Sequence, residues 1–342
     1  MFIVDAHLDL ADNAMAGRAV EKPAREQTPD DLIPTVGLPD LRAGGVNLIG
    51  ATIFCMPSID GRPGYQNAEE AHQQAMDQLQ WYQRQEKART LTFVRNAGQM
   101  PGAESPRTTL PLATTHAILL LEGADAIRDD RDVELFFNAG VRMVGLAWKR
   151  TRYAGGTGAP GPLTRAGQQL LTTLDRFGVI HDTSHLAEDS FWDLLAMSEG
   201  PVMATHANCR AIVPTDRQLS DKMIRALAAR QGVIGINFFD KFLVPPEDYG
   251  KRRATLADVV AHIKHMCDLL GDATHVGIGT DMDGGLGREQ IPVEIETSAD
   301  FPRIAQALSS AGFGDQDVRD IMGENWRRFF LENLPLAVPL AE

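Results

Sequence analysis

The chain has 342 residues, of which 44% are hydrophobic and 23% charged, and it carries a net charge of −13. That hydrophobic share can build a sizeable core and excludes a disordered chain. The acidic excess disfavours nucleic acid and anionic membrane surfaces as partners, because their phosphates need concentrated Lys and Arg.

In chain order, a first short apolar run at residues 2–6 reads as a strand and leads into Asp5-Ala6-His7-Leu8-Asp9. A long, mostly polar insertion follows at 11–40. A second strand is expected at 46–54 and a helix at 68–87, then a third strand at 117–121 ending in Glu122 and a helix at 132–138. The fourth strand, 142–147, runs into a Gly- and Pro-rich segment at 152–162; both it and the 11–40 insertion have the make-up of loops over an active site. A helix at 163–177 precedes strand five at 178–181, which leads to His185. A helix at 187–197 comes before strand six at 201–205, which ends in His206. A helix at 220–230, strand seven at 232–237, a helix at 255–270 and strand eight at 275–279 complete the pattern, and Thr280-Asp281-Met282-Asp283-Gly284 follows.

Thr164, Ser220 with Asp221, and Thr255 with Asp258 three residues later have the chemistry of helix N-caps, the last as a capping box. Strand alternating with helix implies a parallel sheet. Eight such strands suit a closed (β/α)8 TIM barrel better than a doubly wound sheet. No repeat, low-complexity tract or linker divides residues 1–342, so one barrel domain is expected.

Cys55, Cys209 and Cys267 are odd in number and widely spaced, unlike a disulfide framework or a Cys-rich zinc knuckle, which fits a reducing compartment. The N-terminus lacks the basic region and apolar run of a signal peptide. No apolar segment reaches the roughly 20 residues that span a bilayer. A cytoplasmic protein is the expectation.

Catalytic groups of barrel enzymes sit at the carboxyl ends of the strands. There this sequence places His7, Asp9, Glu122, His185 and His206. Each is a weak signal alone; with nine His in the chain, a chance His-x-Asp is unremarkable. Their coincidence at strand ends supplies nitrogen and carboxylate ligands that suit Zn(II) and, less securely, Mn or Fe. The set is too large for one zinc with an open position, but a bridging carboxylate can serve two ions. Glu122 is the natural bridge, between His7 and Asp9 on one side and His185 and His206 on the other, with a water or hydroxide as nucleophile.

With those residues in place, the chain resembles the membrane dipeptidases, also called renal dipeptidases, which are zinc peptidases on a (β/α)8 barrel. The match runs through Asp5-Ala6-His7-Leu8-Asp9-Leu10, Glu122-Gly123, Asp182-Thr183-Ser184-His185, Thr205-His206-Ala207-Asn208, Asn237-Phe238, Val276 to Gly284 and Gly323-Glu324-Asn325-Trp326. The resemblance implies two zinc ions bridged by Glu122, Asp281 as the acid/base residue serving the leaving amine, and hydrolysis of dipeptides with either hand at the second residue. It implies Arg217, eleven residues after His206, as the anchor of the substrate carboxylate, with Arg210 as a competitor, and Asn237 at the substrate. A homodimer is consistent with it.

One departure stands out. Many dipeptidases have a His after strand four that assists the substrate, whereas this chain reads Leu146-Ala147-Trp148-Lys149-Arg150-Thr151. An indole donates only through its N–H and ligates no metal. Trp148 is therefore expected either to stack on a substrate side chain or to pack. Other residues fall outside the expected site: His262 and His265 on a helix, Cys209 beside His206, and His181, which alternates in direction with Asp182.

Two other readings stay open. Amidohydrolases acting on a cyclic amide, lactone or ester usually show His-x-His after strand one and a carboxylated Lys after strand four, and Lys149 keeps that reading alive. A catalytically inactive metal-binding barrel is the other.

Overall fold

The structure is a computed structural model that describes residues 1–28, 31–59, 61–102 and 114–336. Pro29 and Asp30 of the 11–40 insertion lie outside the described residues. Among the described residues nine parallel strands occur, in the order β1 (Val4–Leu8), β2 (Leu48–Phe54), β3 (Leu91–Phe93), β4 (Thr115–Glu122), β5 (Val141–Gly145), β6 (Ile180–Asp182), β7 (Val202–Met203), β8 (Ile234–Ile236) and β9 (Val276–Ile278). Pairing runs β1-β2-β4-β5-β6-β7, with β8 beside β9. A parallel bridge from Ala204 to Ile234 joins the two parts. Closure comes from polar contacts: the Thr280 N–H and hydroxyl donate to Asp5 at 2.8 and 2.5 Å, and the Asp281 N–H donates to the His7 carbonyl at 3.3 Å. The result is the expected (β/α)8 barrel, all eight expected strands being present.

β3 was not anticipated. It pairs with the first residues of β4, on the side where β5 takes over from Leu119 onward. Only three residues long, it gives too short an alternation to be read from sequence. The helix at Ala68–Lys87 has the expected limits, and the caps at Thr164, Ser220 and Thr255 form as expected, the last as a capping box with Asp258. The 11–40 insertion is flanked by the helices Leu10–Met15 and Leu38–Ala43. It is fastened to the carboxyl end of β9 by Asp283, whose buried carboxylate accepts from the Thr35 N–H, the Thr35 hydroxyl and the Val36 N–H and lies 3.3 Å from Arg18.

The apolar interior has two layers. One, between sheet and helices, takes outward-facing residues such as Leu119, Leu121, Ile234 and Ile278. The other fills the barrel from below with Val4, Ala6, Ile118, Leu120, Met143 and Ile180, and is plugged by Trp326, Phe329 and Phe330 of the closing helix Asn325–Asn333. Trp326 is fully buried, donates its indole N–H to the Ile278 carbonyl at 3.0 Å and stacks on Phe330. It fits because position 277 is glycine: a Cβ there would lie 2.2 Å from the indole nitrogen. Asn325 beside it donates to the Ala273 and Val276 carbonyls, tying the helix to β9.

In β1 the inward-facing set changes parity. Val4 and Ala6 belong to the barrel interior and Leu8 to the outer layer, and the register with β2 slips between Asp5 and Leu8. Such a bulge re-aims side chains beside a site, and here it turns His7 and Asp9 inward above Ala6.

Trp326→Ala should lower unfolding free energy by about 3–5 kcal/mol, the usual cost of emptying a large aromatic site. Chemical denaturation of the variant checks this; a loss under about 1 kcal/mol would mean that the closing helix does not plug the barrel.

Candidate metal centre

The structure brings all five expected ligand residues together. Glu122, the last residue of β4, stands in the middle: its Oε2 is 3.3 Å from His7 Nε2, while its Oε1 is 3.5 Å from His185 Nε2 and 3.6 Å from His206 Nε2. The two oxygens of one carboxylate thus face two different ligand sets. Asp9 completes the first set with His7 and Asp281, their donor atoms lying within 4.8 Å of one another; Glu122, His185 and His206 form the second by the same measure.

The donor set fits cations. His7 Nε2 is buried with no hydrogen-bond partner. His185 and His206 direct their Nε2 atoms at each other across 2.9 Å, while both Nδ1 atoms are engaged elsewhere. Two imidazole lone pairs so placed repel unless something positive lies against them. Divalent metal would satisfy all three nitrogens at once.

Burial and mutual repulsion make the cluster electrically uncomfortable by itself. Desolvation, followed by Glu122, pushes the Asp9 carboxyl well above the usual range. Desolvation also leads the rise of Asp281 to about 7, with His7 opposing and Glu122 adding to it. His185 and His206 are driven far below ordinary histidine, first by burial and then by neighbouring positive charge. At His7 burial favours the neutral ring, yet the adjacent carboxylates, Glu122 first, win and raise it to about 10. Buried carboxylates without enough positive charge capture a proton, and metal ions would take that proton's place.

Three hydroxyls orient the ligands. Thr205 Oγ1 is 3.0 Å from His7 Nδ1 and 2.9 Å from His206 Nδ1, and donates its own proton to Asp182 Oδ2 at 2.5 Å. With that proton committed, the hydroxyl accepts from both rings, which fixes each as the Nδ1–H tautomer and frees both Nε2 lone pairs for metal. Asp182 is itself held by the Ser184 and Thr205 N–H groups at 3.0 and 2.9 Å. Thr157 does for His185 what Thr205 does for the other two, at 3.0 Å from Nδ1, and Thr52 donates to Asp9. The carboxylate Asp182 also lies close to His7 and His206, but on the Nδ1 side that Thr205 occupies, so it reads as support for the rings.

Asp281 is 8% exposed and follows β9. Its Oδ2 accepts from the Asn237 amide at 2.9 Å, and its Oδ1 lies 3.9 Å from His7 Nε2. Asn237, expected at the substrate, is buried with that amide on Asp281; Asn208 fixes it in turn by accepting its N–H and donating to its carbonyl. His185, Asp281 and Asp283 all adopt positive φ, near 65°, 60° and 65°. Such backbone costs energy and is tolerated where a side chain must be aimed.

Arg217 is 4% exposed; its Nη2 donates to the His206 carbonyl at 2.6 Å, while its Nε and Nη1 have no partner. Its competitor Arg210 is instead spent on Glu188 and the Gln218 carbonyl. A cavity of about 580 Å³ opens over the centre, lined by Asp9, Glu122, His185 and Asp281 and walled by Phe54 and Trp148. Trp148 is half-buried, edge-on to Phe54 at 5.4 Å and 6.1 Å from the His185 ring. Lys149 lies 6.0 Å from the Trp148 ring on the same wall, and Glu122 stands between the two ligand sets.

The residues left out of the site stay out. His262 uses both ring nitrogens, on the Cys209 N–H and the Leu243 carbonyl, and the Cys209 thiol lies against the His262 carbonyl. His265 meets Asp221, and His181 meets Asp175. Sequence reasoning missed Thr52, Thr157, Thr205 and Asp182; their signal, a polar residue at the end of an apolar strand, was present at Asp182 and Thr205.

Thr205→Val should weaken metal binding by about 10–100-fold at both positions together, and Thr205→Ser should restore most of it. Cobalt(II) titration followed by its absorption bands checks this. Loss at one position only would show that the shared hydroxyl does not serve both histidines.

The sequence profile of the membrane dipeptidases, peptidase family M19, matches residues 1–335. The solved structure of a dipeptidase designated AC, a metallo peptidase of that family, is similar at TM-score 0.83 and 26% identity, covering 98% of this chain and 99% of the other. The metallo peptidase of Rhodobacter sphaeroides, liganded with a phosphinate mimic of the dipeptide L-Ala-D-Ala, gives TM-score 0.83 and 25% identity over 98% and 99% of the two chains. Dipeptidase tcpJ of Claviceps purpurea is 29% identical over 205 residues, 58% of this chain and 46% of that protein, so this chain spans about half the length of that relative. From barrel, site and profile together, the chain belongs to the membrane dipeptidase family and so to the metal-dependent dipeptidases.

Proposed function

We propose that the chain is a two-zinc dipeptidase in which Glu122 is shared by both ions. The observation that carries this reading is the split of its carboxylate, Oε2 toward His7 and Oε1 toward His185 and His206. His7 and Asp9 would hold one ion with Glu122, and His185 and His206 the other. Zinc, when bound, supplies an acidified water and polarises the peptide carbonyl.

The chain's own residues do the rest. The buried Arg217 guanidinium, whose Nε and Nη1 have no partner, receives the C-terminal carboxylate of the substrate, which leaves no buried cation uncompensated. Asp281 carries the proton delivered to the leaving amine. Burial suits it to hold a proton near neutral pH, and the Asn237 amide fixes Oδ2 so that Oδ1 faces the centre. Trp148 stacks against the substrate, since its half-exposed ring forms a wall of the cavity and offers no acceptor. The R. sphaeroides protein holds a mimic of an L,D dipeptide, which supports testing both hands at the second residue.

Among the described residues no helix is long and apolar enough to cross a membrane. Cys55, Cys209 and Cys267 are all unpaired, which supports a reducing, cytoplasmic setting.

The zinc-loaded protein should hydrolyse L,L and L,D dipeptides and lose that activity to a chelator; activity untouched by complete metal removal would refute the proposal. Asp281→Asn should cut kcat by about a hundredfold or more with both metals retained in elemental analysis. Metal loss instead would make Asp281 a ligand. Arg217→Ala should raise KM for free dipeptides by roughly tenfold or more, and far less for C-terminally amidated ones. Equal losses on both would remove the carboxylate anchor.

A further inference from the structure

The cavity over the metal centre has two aromatic walls. Phe54, the last residue of β2, and Trp148, three residues after β5, flank β4 and meet edge to face at 5.4 Å. The second pair, Phe239 and Phe242, comes from the chain after β8, which lies four strands round the barrel from β4 in either direction. Its half-buried rings meet edge to face at 5.0 Å. The two pairs therefore stand across the barrel mouth from each other, and Glu122 ends the strand between Phe54 and Trp148.

The second pair is fixed to the catalytic groups by two amides. The Asn237 side chain that donates to Asp281 also accepts, through its Oδ1, the Phe239 N–H at 2.7 Å. Asn208, which holds Asn237, donates its amide to the Phe242 carbonyl at 3.0 Å. The Phe242 N–H closes the turn on the Phe239 carbonyl at 2.7 Å, and the Phe242 ring lies 5.4 Å from the Arg217 guanidinium. An apolar surface held in this way before substrate arrives gains burial from a ligand without the cost of being ordered.

Connectivity says which substrate group meets this turn. In a dipeptide the leaving nitrogen and the terminal carboxylate are bonded to one Cα, that of the C-terminal residue. Asp281 serves the nitrogen and Arg217 the carboxylate. The Phe239 backbone is tied through Asn237 to the first, and the Phe242 ring lies against the second. The side chain on that shared Cα is the group brought to the pair.

We propose that Phe239 and Phe242 form the wall that receives the C-terminal side chain, and that the preferred substrates are dipeptides with a bulky apolar second residue. The inference rests on the dipeptidase reading above and adds to it a substrate class and two specificity residues.

The test compares kcat/KM of the zinc-loaded wild-type protein on Ala-Leu and Ala-Met with the polar near-isosteres Ala-Asn and Ala-Gln, using both hands of the second residue. In the hand that is turned over faster, the apolar member of each pair should be favoured by about tenfold or more. Phe242→Ala should lower that ratio by roughly fivefold or more, while the ratio of Leu-Ala to Asn-Ala, which reports on the first residue, stays as in the wild type. Equal kcat/KM on apolar and polar partners by an active enzyme would overturn this inference alone. A wild-type preference that survives Phe242→Ala undiminished would overturn its assignment to this wall. No turnover of any dipeptide by metal-loaded protein would overturn the dipeptidase reading and this inference with it. Because the wild-type ratio is decisive by itself, the outcome does not depend on the variant folding.

Discussion

Glu122 lies within 3.3–3.6 Å of three histidine nitrogens, in a pocket that also holds Asp9 and Asp281. Carboxylates gathered out of water repel one another, and the site is stable only when positive charge is supplied among them. The architecture serves that requirement. Five strand ends, those of β1, β4, β6, β7 and β9, deliver an acid or an imidazole to one point, and hydroxyls at Thr52, Thr157 and Thr205 hold the donor atoms facing inward. Thr205 is the most economical of these, since one oxygen orients a ring from each ligand set.

The barrel must close tightly for those strand ends to converge. It does so through small residues and buried polar pairs. A Cβ at Gly279 would lie 1.7 Å from the Thr205 carbonyl, and one at Gly235 would lie 2.0 Å from it, so the approach of β8 and β9 to the Thr205 strand end requires glycine at both places. Asp5 seals the β1–β9 seam through Thr280, and the bulge in β1 turns His7 and Asp9 toward the centre. Below, Trp326 plugs the barrel; above, Asp283 ties the 11–40 insertion to the rim. Site and fold are therefore maintained by the same few contacts, and the positive φ at His185, Asp281 and Asp283 marks where local backbone comfort yields to aim.

Much of this was legible in the sequence because the residues concerned sit where strand periodicity ends. Eight strands, the capped helices at Thr164, Ser220 and Thr255, and the gathering of His7, Asp9, Glu122, His185 and His206 all follow from that pattern. What was not legible depends on pairing between distant segments. The parity change in β1 arises from register against β2, the tautomer-setting role of Thr205 from contacts across 198 residues, and the employment of Asn237 on Asp281 from contacts across 44. β3 is too short to leave a periodic trace. Trp148 shows both sides: the sequence marked it as a departure from the family, and only the folded chain puts its half-exposed ring on the cavity wall beside Phe54 and His185.

The sharing of one carboxylate between two ions is the claim on which the chemistry turns. Anomalous diffraction at the zinc edge from crystals of the zinc-loaded protein tests it directly. Two peaks flanking Glu122 are expected, one against His7 and Asp9 and the other against His185 and His206. A single peak, or two peaks with Glu122 coordinating only one, would contradict it.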